Sequence, residues 1–266
     1  MCIRDRYSIR PCKAQTEPHK FCYFLHFGRN VVYTCRAARY NLGNKRKETA
    51  EKMKEILCYG DSNTWGFTPT TGARYPYAVR WPGVLGALLG SGCRITENGV
   101  NGRTTVFNDP DFPCRNGKTG LGYALCAGKP FDLVILMLGT NDLKFTDAAG
   151  AARGAAELVA LLQNANARFP GATAVFPRGA KILLVSPLHI GENAISEGRF
   201  FSRAESLRFA ALYGTAAQEA GVSFLDAACC AEPSPVEGTH LLPEGHAALA
   251  RALAEKVREI FPEMGA

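Results

Sequence analysis

The chain has 266 residues with 47% hydrophobic and 21% charged side chains, an ordinary globular composition that one or two domains account for. No stretch approaches the ~20 consecutive apolar residues that a membrane span needs, so no membrane partner is expected. The formal charge of +7 belongs to residues 1–52, which carry 12 Lys and Arg against 4 Asp and Glu. The remainder carries 19 against 20, so it presents no field that would attract nucleic acid.

Residues 1–52 hold no helical or strand period over ten residues. Their most apolar run, Phe21–Phe27, is interrupted by His26, and Glu17, Glu48 and Glu51 dilute the arginine-rich character of a transit peptide. From Met53 the sequence runs straight into a strand. The expectation is a basic leader over 1–52, poorly ordered or not native to the protein, and one domain over 53–266 located in the cytoplasm. Ten cysteines in a chain this long do not make a disulfide scaffold. Cys58, Cys93, Cys114, Cys126, Cys229 and Cys230 show no C-x-x-C pair and no zinc spacing, and they are read as reduced, packed thiols.

Beyond Met53, strand and helix alternate. Glu55–Tyr59 is an apolar strand ending at Gly60. Trp81-Pro82 opens a helix that runs through Leu89 and closes at Gly90. Arg94–Glu97 is a weaker strand, and residues 107–130 form a long Gly/Pro/Asp-containing stretch that borders a site. Leu133–Leu138 is continuously apolar, as befits a central parallel strand covered on both faces. A helix over 148–169 places Leu158, Val159, Leu162 and Phe169 on one side and stops before Pro170. Lys181–Ser186 is a buried strand. Ser202 and Glu205 read as a capping box on a helix that ends at Gly221. Val222–Leu225 is the last strand, and a helix from Pro243 carries Leu249, Leu253, Val257 and Phe261 in register. This alternation predicts an α/β fold with a parallel sheet.

Ligands of such sheets bind beyond the carboxyl ends of the strands. Four polar blocks stand there: Gly60-Asp61-Ser62-Asn63-Thr64-Trp65-Gly66, Asn98-Gly99-Val100-Asn101-Gly102-Arg103-Thr104, Gly139-Thr140-Asn141-Asp142, and Glu237-Gly238-Thr239-His240-Leu241. Ester hydrolysis needs a nucleophile, a base, a group that orients the base, and donors for the oxyanion. Ser62 is the hydroxyl at a tight strand-to-helix turn, and His240 has the carboxylate of Glu237 three residues upstream. The Ser62 and Gly102 backbone N–H groups and the Asn141 amide supply three donors. Glycine at position 102 suits close approach of the backbone to substrate.

These blocks resemble the SGNH (GDSL-type) hydrolase family, with Ser62, Gly102, Asn141 and His240 as its four eponymous residues. The wording of Gly60–Gly66, Arg80-Trp81-Pro82-Gly83, Asn98–Thr104 and Leu136–Lys144 is similar to the arylesterase-like branch. The resemblance implies a flavodoxin-like three-layer sandwich with a mostly parallel five-stranded sheet. It implies a metal-free and cofactor-free serine esterase acting through an acyl-enzyme on small acyl or aryl esters, with acyl transfer in some relatives, and a homo-oligomer. Two positions depart from the family pattern: Glu237 stands where Asp is usual, and Asn63 where Leu is. The G-x-S-x-G of α/β-hydrolases is absent.

The same machinery also fits a carbohydrate O-acetyl esterase, since the rim stretches 107–130 and 187–201 carry no distinguishing signature. A non-catalytic flavodoxin-like binding module is the rival of another class, but no Gly-rich phosphate loop or acidic metal cluster supports it. Asp142 and Arg103 are read as capping or surface groups with substrate contact as the alternative. His246 is read as structural, His189 as a pocket-lining candidate, Asp226 as a minor candidate for orienting His240, and Cys229-Cys230 as buried filler.

Overall fold

The structure, a computed structural model, describes residues 53–194 and 202–264; the leader expected over 1–52 and the last part of the 187–201 stretch lie outside them. Five apolar runs form the strands β1 (Lys54–Gly60), β2 (Cys93–Gly99), β3 (Leu133–Met137), β4 (Lys181–Ser186) and β5 (Ser223–Asp226). They lie in the order β2-β1-β3-β4-β5, and every neighbouring pair is parallel. Between them run α1 (Ser62–Trp65), α2 (Trp81–Leu89), α3 (Gly117–Gly128), α4 (Ala148–Gln163), α5 (Ala165–Arg168), α6 (Arg203–Ser206) and α7 (Phe209–Ala220), and α8 (Pro243–Ile260) ends the fold.

Strand side chains alternate between faces, so the sheet feeds two cores. Ile56, Cys58, Leu133, Ile135, Leu183 and Val185 meet Trp81 and Leu85 of α2 and Leu249, Leu253 and Val257 of α8. Leu57, Tyr59, Val134, Leu136 and Leu184 meet α3, α4 and α7 through Leu121, Leu125, Leu158, Leu162, Phe209 and Tyr213. All five residues of β3 are buried because both faces are covered there. The result is the three-layer α/β sandwich with a central five-stranded sheet, and here the sheet is entirely parallel.

Several local expectations need correction. The 107–130 stretch contains α3, whose Asn116 N-cap accepts from the Thr119 N–H. The helix over 148–169 breaks at Asn164, whose side chain turns back to the Ala160 carbonyl. Only half of the capping box forms: Ser202 accepts from the Glu205 N–H, while the Glu205 carboxylate reaches across to the Ala148 N–H and to Arg208. The helix it opens is divided into α6 and α7, and Gly221 closes the second in the left-handed conformation. Among the described cysteines, all free, Cys58 alone is buried; Cys229 is exposed and donates its thiol to Asp226, so it is not filler.

Candidate active site

β1 ends in Gly60 because no side chain fits there: a Cβ would lie 2.0 Å from the Thr64 Oγ1 and 2.8 Å from the Met137 carbonyl oxygen. Asp61 then caps α1 by accepting from the Asn63 N–H. Burial pushes the Asp61 carboxyl up to about 6, against the pull of that N–H and of the nearby His240 and Arg103. The turn delivers Ser62 to the rim of the sheet, with its Oγ 2.9 Å from His240 Nε2. His240 Nδ1 lies 3.0 Å from Glu237 Oε2. The two distances fit one tautomer, with Nδ1–H donating to Glu237 and Nε2 accepting from the serine hydroxyl.

Glu237 accommodates its extra methylene by folding back over its own loop. Its Oε1 accepts from the His240 N–H at 2.6 Å and from the Thr239 N–H at 3.2 Å, leaving Oε2 for the ring. Burial alone would raise this carboxyl, but the hydrogen bonds and charge of His240 hold it below its ordinary value. The loop is closed at its base by Ser234 N–H to the His240 carbonyl and Gly238 N–H to the Ser234 carbonyl. Phe67 lies against the His240 ring with centroids 4.3 Å apart.

Asn63 is the residue whose importance the sequence did not reveal. Its amide donates to the Thr239 carbonyl and accepts from the Leu241 N–H, fastening the helix that carries Ser62 to both sides of His240. The signal was its departure from the family pattern directly after the serine.

Gly102 follows β2 and Asn141 follows β3. Gly102 has φ +78, and a Cβ there would meet Arg115 Nε at 2.5 Å. A left-handed turn and the adjacent Arg115 side chain therefore favour glycine at this position. Asn141 sits in a 3-10 helix, Thr140–Lys144, and donates one amide hydrogen to the Arg103 carbonyl. Among the described residues neither the Ser62 nor the Gly102 N–H has a protein acceptor. A cavity of about 180 Å³ is lined by Ser62, Gly102, Asn141, His240, Phe67 and their neighbours. Ser62, Gly102, Asn141, His240 and Glu237 are thus brought together at the carboxyl ends of the strands.

Other candidates go elsewhere. Arg103 is buried, not a surface group: it donates to the Gly60 and Asn98 carbonyls and to the Asn98 side chain, lying over the Tyr59 ring. Asp142 is also fully buried, and it accepts from the N–H and hydroxyl of Thr105. Burial drives its carboxyl up to about 7 against those bonds. Both brace the loop that carries Gly102. His246 is buried and accepts from the Trp81 N–H. His189 does not line the cavity. Asp226 is engaged by Ser186, Ala228 and Cys229, away from His240. Among the described residues no three His, Cys, Asp or Glu side chains gather as a metal site would require, and no helix is long and apolar enough to cross a membrane.

Comparison with known proteins agrees with this fold. A structure described as a carbohydrate acetylesterase family member from Sinorhizobium meliloti is 37% identical, superposes with a TM-score of 0.73, and is matched over 79% of this chain and 100% of its own. The aryl esterase of M. smegmatis is 33% identical with a TM-score of 0.72, over 78% of this chain and 100% of its own. No curated protein relative matches. The model of the GDSL-like lipase/acylhydrolase family matches residues 58–248, from the middle of β1 into α8. That span contains all four strand-end blocks, and the chain belongs to this family.

Proposed function

We propose that the chain is a serine esterase working through an acyl-enzyme on small acyl or aryl esters. The observation that carries this reading is the continuous hydrogen-bonded chain Ser62–His240–Glu237 at the mouth of the cavity. His240 Nε2 takes the Ser62 proton as Oγ attacks the ester carbonyl, and Glu237 fixes the tautomer and stabilises the imidazolium. The developing oxyanion is met by the Ser62 and Gly102 N–H groups and the second Asn141 amide hydrogen. Collapse expels the alcohol, which receives its proton from His240. Water then repeats the sequence on the acyl-serine, and an alcohol in its place gives acyl transfer. The volume of the cavity suits short acyl groups.

A fluorophosphonate probe tests the nucleophile directly. It should label the protein at Ser62, and Ser62→Ala should lose both the label and p-nitrophenyl acetate turnover, by several orders of magnitude, while keeping the fold. Near-normal turnover in that variant overturns the reading.

A second reading is favoured by the Sinorhizobium meliloti relative, whose name is a carbohydrate acetylesterase. The same chemistry would then act on O-acetyl sugars. Rates on p-nitrophenyl acyl esters set against acetylated sugars separate the two.

A further inference from the structure

The cavity beside Ser62 has an asymmetric charge: among the described residues Arg115 and Lys144 line it, and no carboxylate does. Arg115 is already committed, with Nη1 on Asp109 at 2.7 Å and Nε on the Asn101 carbonyl at 3.1 Å. Lys144 is different. It is half-buried, and among the described residues its ammonium has neither a hydrogen-bond nor an ion-pair partner. Of the carboxylates whose charge it feels, Asp109 pairs with Arg115 and Asp61 accepts from the Asn63 N–H. Burial, then the Arg115 charge, push the lysine below its ordinary value, against the opposing pull of the Asp109 and Asp61 carboxylates.

Lys144 also has a defined relation to the oxyanion donors. It ends the 3-10 helix in which Asn141 lies three residues earlier. A 3-10 helix has three residues per turn, so these side chains stand on the same face. Both line the cavity. A half-buried ammonium without an ion-pair partner among the described residues, one turn from the amide that would meet the ester oxygen, is a place for an anion carried by the substrate.

We propose that the ester taken by this site carries a carboxylate, which Lys144 pairs with. The proposal rests on the esterase reading above. It narrows the substrate class to acidic esters, with the carboxylate on the acyl part or on the alcohol.

Two substrate pairs distinguish those ends. Monoethyl succinate against ethyl pentanoate puts the charge on the acyl part, and 4-acetoxybenzoate against 4-methylphenyl acetate puts it on the alcohol. For each pair the readout is the ratio of kcat/KM, charged over neutral, because its change between variants cancels intrinsic reactivity. In at least one pair, Lys144→Gln should lower the ratio by about tenfold, the size of a charge-assisted hydrogen bond at a partly solvated position. Lys144→Arg should retain the wild-type ratio. In the unaltered protein the same ratio should fall as ionic strength rises from about 0.02 to about 0.5 M, a measurement independent of any effect of substitution on folding.

Ratios that Lys144→Gln leaves unchanged in both pairs, or that are insensitive to salt in the wild type, overturn the proposal. If the protein hydrolyses the neutral esters through Ser62 and only the ratios fail to move, the esterase reading stands and this inference falls. If it hydrolyses no ester of either kind, the esterase reading itself falls.

Discussion

Glu237 uses its extra length on its own backbone: one oxygen holds the His240 ring and the other caps the loop through two N–H groups. Glu237→Gln puts an amide where the imidazolium needs a charge, and kcat/KM should fall by about 10²–10⁴ in steady-state assays. Glu237→Asp keeps the charge and should retain most of the rate, because the shorter acid can still reach the ring at the same spacing of three residues. A Gln variant as fast as the wild type would mean that His240 is oriented by something else. Asn63 works one step further back, since it holds the loop that holds the histidine. Asn63→Ala removes two buried hydrogen bonds, costing about 2 kcal/mol of stability. It should lower kcat by roughly tenfold or more with little change in KM, since misplacing a base by an ångström costs about 10²-fold at the extreme.

At the scale of elements, the junction of α2 and α8 contains a built-in pH response. The Trp81 N–H is one of the donors that the start of α2 cannot satisfy within the helix, and His246 Nδ1 of α8 accepts it. Burial, then the Arg80 and His240 charges, lower His246 to about 4. The folded state therefore binds fewer protons than the unfolded chain between about 4 and the ordinary histidine value near 6.5. The stability contributed by neutral His246 is complete above that window and is lost as pH falls through it. The loss by pH 4.5 is on the order of 2–3 kcal/mol. His246→Gln should lack this increment, and urea unfolding of both proteins at pH 4.5 and 7.5 measures it as a difference of differences. The elements themselves were unequally legible. β3, β4 and α8 follow from uninterrupted apolar runs and a clean helical stripe, because burial on two faces or on one leaves an unmistakable pattern. α3 was hidden by its glycines, which propensity counts against a helix. At two of them packing leaves no room for a side chain: a Cβ on Gly117 would lie 2.3 Å from the Thr104 carbonyl oxygen, and one on Gly120 2.6 Å from the Tyr59 hydroxyl. The role of Glu205, the acid of the apparent capping box, was equally opaque, since its partner Ala148 is distant in sequence. In the site, the strand-end blocks were readable because their chemistry is local to each turn. The bracing roles of Arg103, Asp142 and Asn63 were not, because each depends on a contact between blocks.

Across the whole molecule, the parts of the site arrive from the ends of β1, β2 and β3 and from the loop before α8, so Ser62 and His240 meet over a separation of 178 residues. Contacts this distant in sequence form late, because loop closure must be paid for before they are rewarded. After dilution from denaturant, helical signal should therefore return before esterase activity does, and the two recoveries followed side by side by circular dichroism and p-nitrophenyl acetate turnover should show a lag. Simultaneous recovery would indicate that the His240 loop docks along with the sheet. The order has a meaning during synthesis as well. A ribosome that has made β1 through β5 has produced all five strands of the sheet, with Ser62 in place and no His240 beside it. On the esterase reading, hydrolytic power is thus withheld from the growing polypeptide until the loop that carries His240 has left the exit tunnel and settled beside Ser62.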